Sequence, residues 1–408
     1  MTDASASRSL LLDRGYMRVW SVGFFTAVVR WLEMLALGVL AFSLTNSPAL
    51  VALLVILRFL PLALFGVVLG ALADQLPAAR MMRWGLAAMA ALSAGMWALF
   101  RFGAPEYWHV AAAVLVSGVF WAGDLPIRRK IMAEIVGLRE LARAMATDNA
   151  ASTGTRAIGP LAGGALYQLV GVEGVFALST ALYVLALWAA AGLPREARAK
   201  GDARRRRIAM RWTAPLRGAA EAARHAWRDP DARRILGVTI VFNIWGFPFL
   251  AMVPVLGRDP LELSAFIVGA LTGLEGLFAF IGSLVVARWA RPGTWRRLYL
   301  GSVAVHLCAV GAIGLVGGIW TLALGLSAAG LAAAAFSTMQ STLIWSVAPT
   351  AMRGRYLGLM TLCIGAGVIG FANVGLTAER FGAETALVLL AAQGLPTLAL
   401  IAWRWKAL

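Results

Sequence analysis

The sequence predicts an all-α membrane protein in which twelve transmembrane helices form two pseudo-symmetric six-helix bundles. Three observations predict this fold class. Of the 408 residues, 60% are hydrophobic and only 14% are charged; the apolar residues form repeated long blocks; and the basic residues collect in alternate loops. A soluble globule of ordinary composition could not bury so much apolar surface, so the bilayer is the expected solvent.

The apolar blocks have about the length that a helix needs to cross a hydrocarbon core of about 30 Å. Six blocks precede a polar linker and six follow it. The chain therefore divides into an N-terminal half (1–193), a basic linker (194–234) and a C-terminal half (235–408). The predicted spans are 19–42, 49–72, 82–102, 108–126, 144–168, 174–193, 236–257, 264–288, 298–316, 319–345, 355–377 and 384–403.

The positions of the 37 lysines and arginines predict the orientation. With the N-terminus in the cytoplasm, 31 of them lie in cytoplasmic segments, three in outer loops and three within spans. Cytoplasmic loops carry this excess in membrane proteins. We therefore expect a multi-pass protein of a bacterial-type inner membrane with both termini in the cytoplasm. The net charge of +17 then reflects topology and does not indicate a nucleic-acid partner.

The predicted linker contains the run Arg204–Arg207. Clustered arginines beside a span attract anionic lipid headgroups, so the run is a candidate lipid or regulatory contact. The alternative is a solvated tether whose charges only follow the orientation rule.

A weak internal repeat relates the two halves. The end of the second span, Gly70–Asp74, precedes a basic loop, and Gly282–Val286 at the end of the eighth span does the same 212 residues later. The segments 136–143 and 347–355 are related by a similar offset of 211. Repeats of this kind are typical of transporters whose substrate site lies between the halves.

These segments resemble the major facilitator superfamily over essentially the full chain. Gly70 and Asp74 are similar to the start of its loop signature, in which a glycine, an aspartate and following basic residues form a cytoplasmic gate. The resemblance implies a gate built from Gly70, Asp74 and Arg80, although Gln75 and Pro77 depart from the signature. A solvated aspartate at a helix end is the alternative.

The fifth span is similar to the antiporter motif of drug-efflux members of the superfamily, through the helix-packing residues Gly159, Pro160, Gly163 and Gly164. Small residues permit close helix approach. With the segment Ser43–Pro48, the resemblance implies the drug and siderophore exporter branch, which includes enterobactin-exporter-like and macrolide-efflux-like members. It favours efflux over uptake, whereas a simple packing seam would serve either direction.

Charged residues inside the spans are the candidates for the site, because an ionised side chain at mid-membrane costs roughly 3 kcal/mol or more unless it faces a cavity or a partner. Arg30 and Glu33 share a helix face and are predicted to form an ion pair, which could equally be a structural clamp. Glu275 has no local partner and is a candidate proton carrier, with Glu33 the second. The alternative for Glu275 is a bond across the cavity to an arginine.

The candidate substrate-binding and ion-coupling residues combine these charges with polar and aromatic residues on the inferred cavity helices. Three arginines against two glutamates favour an anionic or zwitterionic substrate. The third, sixth, ninth and twelfth spans carry no charge in their middles, as expected of the outer, lipid-facing helices of the superfamily fold. The candidates are Arg30, Glu33, Arg58, Asn149, Arg156, Asn243, Trp245, Glu275, Gln340 and Asn373.

Other classes of protein are disfavoured. The three histidines, His109, His225 and His306, are scattered, so neither an enzyme site nor a metal site is predicted. The chain has no phosphate-binding loop of nucleotide-driven pumps. We expect a monomeric secondary transporter that needs no cofactor, binds a small-molecule substrate and uses protons as its coupling ion. Import of a metabolite or siderophore is the first alternative, and a multipass enzyme or receptor is the second.

Overall fold

The computed structural model describes residues 13–75, 77–193, 213–349 and 352–406, and nearly all of them are helical. The Arg204–Arg207 run lies outside these residues. The N-terminal half consists of α1 (Arg14–Thr45), α2 (Pro48–Gln75), α3 (Ala78–Phe102), α4 (Tyr107–Val170) and α5 (Val172–Ala191). The following helices are α6 (Thr213–Arg228), α7 (Pro230–Val241), α8 (Val253–Arg258), α9 (Ala265–Trp289), α10 (Trp295–Val316), α11 (Ile319–Val347), α12 (Arg353–Gly365), α13 (Gly367–Phe381) and α14 (Ala383–Lys406).

The long helix α4 is a hairpin of two helices. Gly137 has φ 68° and ψ 173°, a conformation that side chains with a Cβ rarely adopt. We call residues 107–136 α4a and residues 138–170 α4b. An ion pair between Arg128 of α4a and Asp148 of α4b shows that the two helices fold back on each other. One glycine therefore makes the turn between the predicted fourth and fifth spans.

The protein is a multipass membrane protein. Within the described residues, ten helical segments are long and apolar enough to cross a bilayer, and Pro48–Leu62 of α2 is a shorter apolar helix. The helix α4b has a suitable length but carries polar residues along it. The twelve spans of the sequence stay a prediction. The ten segments are Arg14–Thr45, Ala78–Phe102, Tyr107–Gly137, Val172–Ala191, Pro230–Arg258, Ala265–Trp289, Trp295–Val316, Ile319–Val347, Arg355–Phe381 and Ala383–Trp405.

The first span of the C-terminal half is irregular in its middle. A π-helical turn at Phe242–Gly246 is followed by a 3₁₀ segment at Phe247–Met252 before α8 begins. Pro248 lacks a backbone N–H, which prevents a continuous α-helical ladder there. Interrupted helices of this kind line the central sites of many transporters, and this one reaches the cavity described below.

The helix ends define two faces of the molecule. At the termini face, Arg18 near the start of α1 bonds to the backbone oxygen of Gly192 after α5, and Arg234 of α7 donates to the backbone oxygen of Arg404 in α14 at 2.7 Å. The starts of α2 and α9 and the ends of α4b and α13 lie at the opposite face. Both ends of the described chain are therefore on one side.

The described part of the predicted linker is folded. The helix α6 packs on α12, where Nδ1 of His225 lies 2.7 Å from the hydroxyl of Tyr356. Arg355 donates to Glu221 at 2.6 Å. Residues 213–228 are thus attached to the C-terminal half at the termini face.

The helices predicted to be outer supports lie at the periphery of each half. In the N-terminal half, α3 packs mainly on α4 and α5. In the C-terminal half, α10 packs mainly on α11 and α14. The helices that meet across the two halves are α1, α2, α4b, α8, α9, α12 and α13, together with the 3₁₀ segment Phe247–Met252.

Candidate functional site

The two halves meet along a seam of glycines between α4b and α9. A Cβ added to Gly164 would lie 2.3 Å from the backbone oxygen of Ala265, and one added to Gly269 would lie 2.5 Å from that of Pro160. Further along, a Cβ on Gly276 would lie 2.4 Å from the backbone of Arg156. The helix backbones therefore touch, as small residues in membrane helices permit.

The glycine–proline motif of α4b serves a second contact, with α1 of the same half. A Cβ on Gly159 would lie 2.5 Å from the Cβ of Trp31, and one on Gly163 would lie 2.5 Å from the backbone oxygen of Leu32. The motif thus fits α4b between α1 and α9. Gly159 sets how closely Trp31 approaches α4b.

The seam ends at Arg156. Two residues closer to the termini face, a Cβ on Gly154 would meet nothing within 4 Å, and Ala150, one further turn along the helix, is exposed. The helices α4b and α9 therefore separate towards the termini face. The gap between the halves opens in that direction.

The halves are also joined at the opposite face. The Ser47 hydroxyl and the Ala49 backbone N–H donate to Oε2 of Glu379 on α13, at 2.8 and 3.2 Å. The Phe266 backbone N–H at the start of α9 donates to Oε1 of Gln168 on α4b, at 3.1 Å. Each side chain caps free N–H groups at a helix start in the other half. The two caps occupy equivalent positions in the repeat.

A cavity of about 500 Å³ lies between the halves. Its walls are mostly apolar, with one cationic and one anionic side chain. The lining residues are Trp31, Met34, Leu35, Gly38, Val51, Val55, Arg156, Pro160, Leu250, Ala251, Pro254, Thr272 and Glu275.

The two charged residues of the cavity form an ion pair that joins the halves. Nη2 of Arg156 on α4b lies 2.5 Å from Oε1 of Glu275 on α9. The Glu275 side chain is 1% exposed and that of Arg156 is 19% exposed. The Arg156 guanidinium also lies 5.2 Å from the centre of the Trp31 ring. The sequence left two interpretations of Glu275, an unpaired proton carrier or a partner of an arginine across the cavity. The structure shows the bond to an arginine.

The second glutamate is paired inside the N-terminal half. Oε2 of Glu33 on α1 lies 3.5 Å from Nη2 of Arg58 on α2, and both side chains are buried. The predicted pair between Arg30 and Glu33 is wrong. Arg30 turns instead to α4a, where its guanidinium stacks 3.7 Å from the centre of the Trp121 ring. Tertiary packing therefore overrides the shared helix face.

Charges continue from Arg30 towards the termini face within the same half. Asp124 of α4a lies 3.9 Å from Arg30 and 3.6 Å from Arg128. Arg128 also pairs with Asp148 of α4b. We call these residues, with the Glu33–Arg58 pair, the N-half charge chain. It contains three arginines and three carboxylates, so the excess of arginines that the sequence suggested is balanced by aspartates.

The amide candidates of the C-terminal half are bonded to their neighbours. Nδ2 of Asn243 donates to the backbone oxygen of Thr239 at 2.8 Å, and Nε2 of Gln340 donates to the Thr239 hydroxyl at 3.0 Å. Both side chains are buried. The Gln340 bond joins α11 to α7, the Asn243 bond lies within its own span, and neither residue belongs to the cavity wall.

The other predicted residues are dispersed. Trp245 and Asn373 both donate to Oε1 of Gln393 on α14, at 2.8 and 3.0 Å, and Asn149 is exposed on α4b. Arg58 lines an adjoining space of about 270 Å³ that shares four residues with the central cavity. Of the ten candidates, the structure brings Arg156 and Glu275 together at the central cavity.

The predicted gate is described only in part. Arg80 is exposed near the start of α3, and the backbone of Gly70 and Asp74 is helical within α2. The Asp74 side chain and the surroundings of Gly70 lie outside the described part of the chain.

Four residues that position the charges or join the halves were missed at the sequence level. Trp31, Trp121, Gln168 and Glu379 lie next to candidate charges or at span ends, but only the packing of α1, α4 and α13 shows their roles. The tryptophans could have been suspected as partners of the buried arginines, because arginine often pairs with aromatic rings, but spacing does not show which ring meets which arginine.

A family model described as Major Facilitator Superfamily matches residues 19–372. The chain belongs to the major facilitator superfamily. A search of curated proteins found no match. Solved structures show the same fold. The D323A mutant of the nucleoside transporter NupG is 16% identical, with a TM-score of 0.72 over 95% of this chain and 98% of that one.

Two further solved structures are of proteins in inward-facing states. A bacterial homologue of the human lysosomal transporter Spinster, inward-facing and unoccupied, is 14% identical, with a TM-score of 0.72 and 97% of both chains covered. A bacterial homologue of the iron transporter ferroportin, inward-facing, is 15% identical, with a TM-score of 0.65 over 96% of this chain and 100% of that one. At these identities the likeness concerns the fold, which is that of a transporter.

Proposed function

We propose that this superfamily member is a proton-coupled exporter of a small siderophore- or drug-like organic molecule, zwitterionic or anionic, and that it works by alternating access. The observation that carries the proposal is the Arg156–Glu275 pair. Among the ion pairs of the described residues, it alone connects the two halves. It also supplies both charges of the central cavity.

The pair can couple protonation to movement because Arg156 and a proton compete for the Glu275 carboxylate. As a carboxylate it binds Arg156 and holds α9 against α4b. When it takes up a proton, the ionic attraction is lost and the halves are free to rock about the glycine seam. A switch of this kind needs a pair whose members move relative to each other. The N-half charge chain lies within one half and does not meet that condition.

A zwitterionic substrate fits the two charges. Its carboxylate binds Arg156 and its ammonium group binds Glu275, while its apolar body contacts the remaining walls. A proton and the ammonium group then compete for the same carboxylate. Competition of this kind produces exchange of a proton for the substrate, which is what export against a gradient requires.

The accessibility of Arg156 favours a second candidate, uptake of an anion. Arg156 is more exposed than Glu275, so an anion without an ammonium group can bind the arginine and displace the glutamate. The displaced carboxylate, buried and without a cation, would then bind a proton. Anion and proton would move together, and the protein would work as a symporter.

We also propose how the protein is oriented, in which membrane it lies and that it acts as a monomer. The excess of basic residues favours a cytoplasmic termini face in a bacterial-type inner membrane, and the protein works as a monomer with Asp74 at its cytoplasmic gate. The gap between α4b and α9 then faces the cytoplasm, from which an exporter takes its substrate.

Proteoliposomes test the proposal. Zwitterionic and anionic organic compounds are offered to vesicles that contain a pH-sensitive dye, and substrate-induced proton flux is recorded with and without a pH gradient. For the exporter, we expect substrate and proton to move in opposite directions. Flux in the same direction would support the symporter. Uphill accumulation that persists after the pH gradient is dissipated would refute proton coupling.

A further inference from the structure

Two residues of the cavity wall each carry an N–H donor that has no acceptor among the described residues. Nε1 of Trp31 and Nε of Arg156 are covered by protein atoms and make no hydrogen bond. Both residues line the central cavity. A buried donor without an acceptor costs free energy comparable to a lost hydrogen bond, so both groups favour an oxygen that the protein itself does not provide.

The two donors belong to one local structure. The Trp31 ring lies against the guanidinium of Arg156, and the absence of a side chain at Gly159 lets the Trp31 Cβ approach α4b. One Nη atom of Arg156 is occupied by Glu275, whereas Nε is free. The donors therefore come from neighbouring side chains, one neutral and one cationic.

A carboxylate is the group that matches these donors. It has two oxygens and a negative charge, so it can accept from an indole N–H and a guanidinium N–H together. A cation that carries no carboxylate would be repelled by Arg156, because it has no group that could replace Glu275 on the arginine. The rest of the wall is apolar, which favours a carboxylate carried on an apolar body.

We propose that Trp31 and Arg156 form a carboxylate-binding subsite, in which the indole N–H of Trp31 selects carboxylic acids over amides and esters of the same shape. This inference deepens the proposed function, on which it rests, by naming the substrate class. The substrate is an apolar molecule that bears a carboxylate, with or without an amino group.

Binding to the full-length protein in lipid nanodiscs tests the subsite without any gradient. The probes are 2-naphthylalanine, its carboxamide and 3-(2-naphthyl)propionate, and affinity is measured by calorimetry. We expect both carboxylates to bind at least about tenfold more tightly than the carboxamide, the ratio expected for one hydrogen bond to a charged group. Equal affinities, or no binding of either carboxylate, would overturn the subsite.

Trp31→Phe is the decisive variant because it keeps an aromatic ring beside Arg156 and removes only the N–H. We expect its preference for carboxylate over carboxamide to fall about tenfold. The matched control is Trp20→Phe, on the same helix. Trp20 also has a buried, unbonded Nε1, but it stacks on Phe24 away from the cavity. Equal losses in both variants would overturn the role of Trp31.

A spectroscopic signature keeps the test valid if affinities change for structural reasons. In protein labelled with ¹⁵N at its tryptophans, the indole signal that disappears in Trp31→Phe should shift downfield when 3-(2-naphthyl)propionate is added. An unchanged signal at saturating probe would overturn the proposal. These measurements report binding alone, so proton coupling can fail while the carboxylate preference holds, and the reverse is equally visible.

Discussion

The two halves share a fold but differ in what fills their interiors. The N-terminal half contains the N-half charge chain, which runs from Glu33 to Asp148 through α1, α2 and α4. The described interior of the C-terminal half consists of rings and amides, with Phe242 stacked on Phe336 at 3.8 Å and the buried His306 beside them. Glu275 is the charge that this half contributes to the membrane interior. Its partner, Arg156, belongs to the other half.

The comparison teaches that burial alone does not identify a coupling residue. Glu33 and Glu275 are both buried and both bind an arginine, so neither feature separates them. They differ in whether the partner moves with them. Charges paired within one rigid half stabilise it, and a pair shared by two halves responds to their motion.

The largest effect is expected from breaking a pair inside the N-terminal half. Arg58→Met leaves the buried Glu33 without its cation, which costs about 3–5 kcal/mol of unfolding free energy. Thermal unfolding in detergent measures the loss. The double variant Arg58→Met with Glu33→Met removes both charges and should recover most of the stability. A double variant as unstable as the single one would contradict a mainly structural role for this pair.

The next effect concerns the pair between the halves. Glu275→Gln keeps the shape of the side chain and removes its charge and its ability to exchange a proton. We expect gradient-driven accumulation in proteoliposomes to fall more than tenfold, while exchange of substrate across the membrane continues. Glu33→Gln is the matched control and should keep the coupling. Coupling lost in Glu33→Gln and kept in Glu275→Gln would reverse the assignment.

A smaller effect is expected at the glycine seam. Gly164→Ala places a Cβ against the Ala265 backbone oxygen, so the halves must separate there and transport should fall several-fold. Gly154→Ala on the same helix is the control, because the added Cβ meets nothing within 4 Å. That control should leave transport unchanged and stabilise the helix by up to about 1 kcal/mol. Equal transport by both variants would show that the seam is not a limiting contact.

The smallest effect is expected at the opposite face. Glu379→Gln weakens the cap on α2 by removing its charge, at a cost of about 1 kcal/mol or less. A cysteine introduced at Ala49 should react faster with a membrane-impermeant maleimide in this variant. Cys308 and Cys363 are first replaced by alanine, and Gln168→Ala provides the comparison at the equivalent cap. Unchanged reactivity in both variants would exclude the caps as contributors to closure.

More of the fold than of the candidate site could be predicted from the sequence. Apolar block lengths and the distribution of basic residues depend on local sequence, so the all-helical membrane class followed from them. The superfamily followed from the resemblance of short motifs such as Gly70–Asp74 and Gly159–Gly164. The pairing of charges depends on how helices rotate against one another. Sequence spacing placed Arg30 beside Glu33, whereas the Trp121 ring on α4a and Arg58 on α2 separate them.

Helix packing also explains why some predicted residues lie outside the site. Asn243 and Gln340 are polar residues on cavity helices, but both point into the C-terminal half and bond around Thr239. Trp31 was missed because its place beside Arg156 depends on packing against Gly159, which is 128 positions away. Residues that act through a contact between distant helices need the packed structure to be found.

The central claim is that protonation of Glu275 releases α9 from Arg156 and lets the halves move. Spin labels at Ala150→Cys on α4b and Leu284→Cys on α9, two exposed positions on the helices that separate towards the termini face, report that movement when Cys308 and Cys363 are replaced. The distance distribution is measured by double electron–electron resonance at low and high pH. We predict a shift with pH in the otherwise unchanged protein and a pH-independent distribution, equal to the low-pH one, in Glu275→Gln. A Glu275→Gln variant that keeps the full pH-dependent shift would contradict the account.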